Sequence, residues 1–230
     1  MLLESAIEKI RSAPLELLQD PSWLEYKFLP ELGLNDRHMH QYPKELHAYC
    51  GIGINSWQYP CQFSKYLVHL SKQNITSYVE IGCHKGGTFI VTTEFLSRFN
   101  RLEQAVAVDN WERAEMHAYA ELNSSVKYIP QSSQSTEFRE LIGERHWDLI
   151  LIDGDHSYGG ATTDLNLVKD FTQRIAFHDI VNHLCPGTQL IWSDVKKRFQ
   201  EAKFQEWTEQ YDDVLLRLRG GIMGLGLMEF

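Results

Sequence analysis

Two short polar clusters stand directly behind apolar runs. Leu151-Ile-Asp-Gly-Asp-His-Ser-Tyr158 follows the run Asp148–Ile152, and Phe177-His-Asp-Ile180 closes the run Arg174–Phe177. A polar residue just past a buried strand sits where the sheet opens into solvent. Groups far apart in sequence can meet there if their strands are neighbours. On that condition Asp153, His178 and Asp179 converge. Carboxylates so placed suit a hard divalent cation such as Mg2+, which prefers oxygen ligands and keeps several waters. Such an ion lowers the pKa of a bound hydroxyl, and His156, titrating near neutral pH, could take the proton. Simpler uses exist as well. Asp153 and Asp179 could cap helices, and either histidine could be a satisfied core residue.

A second constellation lies upstream. Glu80-Ile-Gly-Cys-His-Lys-Gly-Gly87 links the strand candidate Ile75–Ile81 to a helical pattern over Thr88–Phe99. Gly82, Gly86 and Gly87 can form a tight turn and admit a ligand close to the backbone, beside the free N–H groups of the helix start. The spacing is not the dinucleotide fingerprint G-x-G-x-x-G, because position 84 is histidine. Asp109 follows the short strand Gln104–Val108, where an acid can accept hydrogen bonds from ribose hydroxyls; its bland use is as a helix cap. Ser132 and Ser133 follow Val126–Ile129 and could line an adenine edge.

The elements needed to position these groups are legible in outline. Short apolar runs alternate with helical stretches: Trp111–Leu122, Thr136–Ile142 and Asp164–Phe171 separate strand candidates from residue 75 to residue 177. The continuously apolar DLILI over 148–152 suits a central parallel strand buried on both faces. The expected fold is therefore α/β, a mostly parallel sheet with helices on both faces. In the tail, Val214–Leu218 and Ile222–Phe230 flank Gly220–Gly221 and read as an antiparallel pair joined to that sheet. Residues 1–70 form a different region, punctuated by Pro14, Pro21, Pro30, Pro43 and Pro60, with short helices such as Leu2–Ile10 and Gln62–Leu70. Within it His47–Gln62 reads as a loop or lid, with Trp57, Gln58 and Tyr59 as candidates to cover a site. The expected division is an extension over 1–70 and a ligand-binding catalytic domain over 71–230.

Composition narrows the field. The chain has 230 residues, 43% hydrophobic and 23% charged, which is ordinary globular usage. A formal net charge of -9 removes any general attraction to a phosphate backbone, so nucleic acid is not an expected partner. Lys196–Lys197–Arg198 reads as a solvated helix face. No apolar run approaches the roughly 18 residues of a membrane span, and the first residues lack a signal-peptide core. The expectation is a soluble, cytoplasmic protein away from the membrane. Cys50, Cys61, Cys83 and Cys185 contain no CxxC pair and read as free thiols. His183 and Cys185 are near one another, but no second ligand pair accompanies them to make a zinc site.

The ordered set YVEIGCHKGGTF (78–89), AVDN (107–110), DLILIDGDHSYGGATTDL (148–165) and AFHDI (176–180) resembles the class I S-adenosylmethionine-dependent methyltransferases. Within them it looks like the branch containing the macrocin and mycinamicin sugar O-methyltransferases and cephalosporin-biosynthesis methyltransferase-like proteins. The resemblance implies a Rossmann-like, seven-stranded sheet with a C-terminal antiparallel strand. It implies that Glu80, Gly82 and Gly86 surround the methionine part of the cofactor and that Asp109 binds its ribose. It makes Asp153 and Asp179 Mg2+ ligands and His156 the base. The relatives often carry an acid immediately before the second metal aspartate; here that position is His178. The implied activity is methyl transfer from S-adenosylmethionine to a hydroxyl of a small molecule or glycosyl group. A dinucleotide-dependent oxidoreductase is opposed by His84, and a hydrolase by the lack of a G-x-S-x-G elbow. A fold-retaining binding protein without turnover is the other reading. Homo-oligomerisation through the N-terminal region is left open.

Overall fold

The computed structural model describes residues 3–230. Five parallel strands form most of one sheet: β1 (Ser77–Ile81), β2 (Gln104–Val108), β3 (Val126–Ile129), β4 (Leu149–Ile152) and β5 (Arg174–His178). β6 (Lys203–Trp207) and β7 (Leu225–Glu229) complete it in the order β3-β2-β1-β4-β5-β7-β6, with β7 antiparallel to both neighbours. The helices are α1 (Leu3–Ser12), α2 (Leu15–Leu18), α3 (Pro21–Trp23), α4 (Leu29–Leu32), α5 (Pro60–Leu70), α6 (Gly87–Phe99), α7 (Ala114–Leu122), α8 (Thr136–Gly143), α9 (Tyr158–Val168), α10 (Pro186–Arg198) and α11 (Asp212–Leu218). The start of the expected helix Leu2–Ile10, Leu2 itself, lies outside the described residues.

The two-residue period of the strands sorts the core into two layers. Tyr78, Ala105, Ala107, Leu149, Leu151 and Ala176 face one side, packed with buried residues of α1, α5 and α6. Val79, Ile81, Val106, Val108, Ile150, Ile152, Ile175 and Phe177 face the other, against α8, α9 and α10. Every residue of β4 is buried, which is why its sequence reads as an unbroken apolar run. Residues from the first 70, including Ile10, Leu32 and Phe63, belong to the same apolar cluster as the sheet. α1 is also tied to α6 through Arg11, whose guanidinium donates to both carboxylate oxygens of buried Glu94 at 2.7 and 2.8 Å.

The tail differs from expectation. An antiparallel pair does extend the sheet, but its first member is β6, not Val214–Leu218. The latter is helical in α11, where Asp212 and Asp213 occupy the first turn and favour the helix N-terminus. β6 was hidden in sequence because KFQEW is a half-exposed edge strand with little apolar signal. α9 also starts earlier than its apolar pattern suggests: Ser157 caps it, its Oγ accepting from Gly160 N at 3.0 Å.

Strand order reverses between β1 and β4. The chain leaves β1 toward β2 and β3, and returns through β4 toward β5. A crevice beyond the carboxyl ends of the strands is thereby built into the topology, and ligands of open α/β sheets bind there.

Candidate functional site

A cleft of about 720 Å3 opens at that place, within the size range of small-molecule sites. It is lined by strand-end residues from β1, β2, β4 and β5, and by Trp57 from the N-terminal region. Each sequence-expected site residue except Gly86 is on its wall: Glu80, Gly82, Asp109, Ser132, Ser133, Asp153, His156, His178 and Asp179.

One half is shaped by the turn after β1. Gly82 has φ +90°, and a Cβ there would fall 2.3 Å from the carbonyl oxygen of Asp153, so the turns after β1 and β4 pass backbone against backbone. Gly86, at φ +87°, precedes α6 with Met116 Sδ against it rather than a ligand. His84 stands in left-handed backbone at φ +49°, and its N–H donates to Asp109 Oδ2 at 2.7 Å. Trp111 N donates to Asp109 Oδ1 at 3.0 Å. Asp109 therefore secures the loops after both β1 and β2 while keeping lone pairs on the cleft. Glu80 is buried beneath the loop. Tyr78 Oη donates to its Oε2 at 2.5 Å, while its Oε1 has no partner among the described residues. Burial, followed by the charges of Asp153 and Asp109, pushes the Glu80 carboxyl well above the usual carboxylate range. An uncommitted buried acceptor in a cleft of this size fits a ligand carrying an amino group, as S-adenosylmethionine does.

The serines hold more local roles. Ser133 Oγ donates to Asp164 Oδ1 at 2.6 Å, and Ser132 Oγ accepts from Gln134 N at 3.1 Å. Asp164 was not singled out in the sequence, yet it lines the cleft and is buried. It is a lone carboxylate on the inner face of α9, beside Ala161, Leu165 and Val168, and no motif marks it as a site residue.

The other half gathers the titratable groups. His178 Nδ1 lies 2.9 Å from Asp153 Oδ1 and 3.7 Å from Asp179 Oδ1. His156 bridges the same carboxylates, Nε2 at 3.4 Å from Asp153 Oδ1 and Nδ1 at 3.3 Å from Asp179 Oδ2. Asn182 Nδ2 donates to Asp179 Oδ1 at 2.7 Å, and Cys185 Sγ lies 3.3 Å from His156 Nδ1. Asp179 turns the chain at φ +62°, a left-handed conformation that aspartate tolerates better than most residues. Asn182 and Cys185 had no distinctive sequence signal, because the loop after β5 decides which of its residues return to the cleft.

Electrostatics follow from this packing. Burial alone would raise the Asp153 pKa, but His178 and then His156 overcome it and drive it down to about 2. Burial opposes protonation of His156, yet Asp153, Cys185 and Asp179 together push it up to about 11. His178 is raised against the same opposing burial by the charges of Asp153 and Asp179. In the free protein each imidazole thus sits between two carboxylates. A divalent cation fits between these carboxylates. The donor set is not the all-oxygen one that Mg2+ favours, because His178 contributes nitrogen.

The aromatic residues of the expected lid divide. Trp57 faces the cleft, stacked on His38 at a centroid distance of 4.7 Å and edge-on to His84 at 5.7 Å. Gln58 and Tyr59 are buried instead: Gln58 Nε2 reaches Thr88 Oγ1 at 3.4 Å, and Tyr59 Oη donates to Gln41 O at 2.5 Å. All four cysteines are free. No helix among the described residues is long and apolar enough to cross a membrane.

Residues 79–180 match the family model described as "Methyltransferase domain". No curated protein matches the chain. Among solved structures, the O-methyltransferase from Bacillus cereus in complex with SAH aligns with a TM-score of 0.53 at 12% identity, over 100% of this chain and 93% of that one. The O-methyltransferase TomG from Streptomyces achromogenes, involved in tomaymycin synthesis and in complex with SAM, aligns with a TM-score of 0.52 at 12% identity, over 94% and 90%. MycE methyltransferase from the mycinamycin biosynthetic pathway, in complex with Mg, SAH and mycinamycin VI, aligns with a TM-score of 0.51 at 15% identity, over 100% and 63%. At such identities the structural likeness is one of fold: the mostly parallel seven-stranded sheet with its antiparallel strand near one edge, as in the Rossmann-like class I methyltransferases. Residues 79–180 match a methyltransferase-domain model, and the sheet they build shares its fold with solved methyltransferases.

Proposed function

We propose that the protein transfers a methyl group from S-adenosylmethionine to a hydroxyl of a small-molecule or glycosyl acceptor, with His156 receiving the hydroxyl proton. One observation carries the reading. His156, held between Asp153 and Asp179, shares a single cleft with Glu80 and Asp109, two acids able to accept hydrogen bonds from a cationic amino group and a ribose. The neighbouring structures with SAM, SAH and mycinamycin VI support a small organic acceptor.

The cofactor supplies an electrophilic methyl on a sulfonium, which departs as a neutral thioether. The chain's part is to position and to manage charge. Glu80 and Asp109 orient the two ends of the donor, with Gly82 and Gly86 shaping the turn between them. Ser132 and Ser133 border the adenine end. Asp153, Asp179 and His178 would hold a divalent cation, Mg2+ by resemblance, and such an ion would supply Lewis acidity that lowers the pKa of the acceptor hydroxyl. His156 then accepts the proton as the acceptor oxygen forms its bond to carbon. Trp57 narrows the mouth and excludes water, so that orientation provides much of the rate. In this reading the region after residue 70 is the catalytic domain, and the preceding region provides the cover.

The direct test is a calorimetric titration of S-adenosylmethionine into the purified chain, in Mg2+ and separately in EDTA. Saturable binding followed by methylation of a hydroxylated acceptor, lost in His156→Gln, is the expected result. A folded protein that binds no S-adenosylmethionine in either buffer sinks the proposal.

A further inference from the structure

We infer that the cation position formed by Asp153, His178 and Asp179 selects a first-row transition ion such as Fe2+, Co2+ or Zn2+ over Mg2+. The inference rests on the proposed function for its reading of the cleft and deepens it by naming the ion class.

Geometry is the first support. One ligand atom from each of the three residues lies within 4.8 Å of the others. Two donors held about 2.1 Å from one ion, at angles between octahedral and tetrahedral, stand roughly 3.0–3.4 Å apart. The His178 Nδ1 distances, 2.9 Å to Asp153 Oδ1 and 3.7 Å to Asp179 Oδ1, bracket that span. The third separation, between the two carboxylates, is at most 4.8 Å, so the three atoms surround one position.

Donor chemistry is the second support. Mg2+ demands a near-octahedral shell of oxygens and gives up water reluctantly. Imidazole nitrogen suits zinc, iron and their neighbours, whose affinities for such sites rise across the first row. His178 cannot withdraw to leave an oxygen-only site, because it is 5% exposed at the end of β5. Its Nδ1 is the nitrogen turned toward both carboxylates. An ion entering from the cleft therefore meets nitrogen as an obligatory ligand.

A second set within the same reach, His156, Asp179 and Cys185, competes for the ion. It would add sulfur and consume the proposed base. The Asp153–His178–Asp179 set leaves His156 free to take a proton, and the two placements differ in whether a thiolate is a ligand.

The test titrates full-length protein, stripped by chelator, with Co2+, Zn2+ and Mg2+ by calorimetry, and records the Co2+ absorption spectrum. The expected result is one equivalent of Co2+ or Zn2+ bound at least ~100-fold more tightly than Mg2+, with no sulfur-to-cobalt charge-transfer band. His178→Glu should move that ratio toward Mg2+ by ~10-fold or more, and His178→Gln should weaken Co2+ without strengthening Mg2+. S-adenosylmethionine titrated into the same samples reports whether each variant keeps a formed cleft, and separates the two ideas. Cofactor binding with equal or tighter Mg2+, or with no ion bound, overturns this inference and leaves the methyl-transfer reading standing. A charge-transfer band abolished by Cys185→Ser also overturns it, since the ion then lies on the sulfur-containing set.

Discussion

Tyr78 Oη donates to Glu80 Oε2 at 2.5 Å, and the other oxygen of that buried carboxylate faces no protein donor among the described residues. The pair sits two residues apart on β1, on the face toward α6. Burial holds Glu80 well above the usual carboxylate range, with Asp153 and Asp109 adding to the effect. A ligand ammonium beside it favours the ionised form, so binding should release a proton. Affinity for S-adenosylmethionine should then rise with pH and level off above the Glu80 pKa of the free protein. Calorimetry in buffers of different ionisation enthalpy reads the release directly. Glu80→Gln should abolish the pH slope and weaken binding by about 10- to 100-fold, the value of a charge-assisted hydrogen bond. A binding enthalpy independent of buffer in the unaltered protein would refute this account.

His156 contacts both cleft aspartates, and its removal separates binding from turnover. His156→Gln should lower kcat by about 100- to 10,000-fold, the usual worth of a positioned acid–base group, and leave the S-adenosylmethionine Kd nearly unchanged. Equal losses in cofactor affinity and kcat would instead mark His156 as part of the scaffold.

Two glycines make a matched pair for stability. A Cβ on Gly87 would fall 2.5 Å from Ser56 Cα and 2.7 Å from Ile54 O, both backbone atoms of the N-terminal region. Gly87→Ala should therefore push that region off α6 and cost about 1–3 kcal/mol. Gly159, in α9, has nothing within 4 Å of its added Cβ. Gly159→Ala should stabilise by up to about 1 kcal/mol through helix propensity. Chemical denaturation of both variants checks the pair, and a tolerated Gly87→Ala would contradict the packing described.

Asp148 joins the beginnings of β1 and β4. Its Oδ2 accepts from Thr76 N and Oγ1 at 2.7 and 2.8 Å, and from Ser77 N and Oγ at 3.1 and 3.2 Å. Partial burial alone would raise its pKa, but these hydrogen bonds together hold it below its ordinary value of 3.8. The charged form is favoured by folding, so the contribution is complete above that ordinary value and fades as pH falls through the lower, folded one. Asp148→Asn should cost about 1–3 kcal/mol at neutral pH. That difference should shrink in acid denaturation curves below the ordinary aspartate range. A pH-independent difference would mean the loss is steric.

Legibility tracked the reach of each physical cause. DLILI announced a two-sided buried strand because burial on both faces removes every polar position from it. The polar residues behind β4 and β5 were equally visible, since a buried strand ending in Asp or His marks the point where solvent returns. Asp164 and Cys185 were not visible as site residues. One is a single carboxylate on an apolar helix face, and the other lies in a loop whose path no periodic pattern encodes. Lys203–Trp207 escaped for a third reason: a half-exposed edge strand needs few apolar residues, so its alternation is weak.

By itself the sequence determined the alternation of strands and helices, the tight glycine turn after β1, and the chemical types available at the strand ends. These are local properties, fixed by side-chain periodicity and backbone freedom within a few residues. Only the tertiary structure decided that β4 lies between β1 and β5, bringing His178 to 2.9 Å from Asp153, 25 positions away in sequence, and that Trp57 faces the cleft while Tyr59 does not. Those outcomes depend on hydrogen-bonded pairing and close packing between distant segments, which no local pattern specifies.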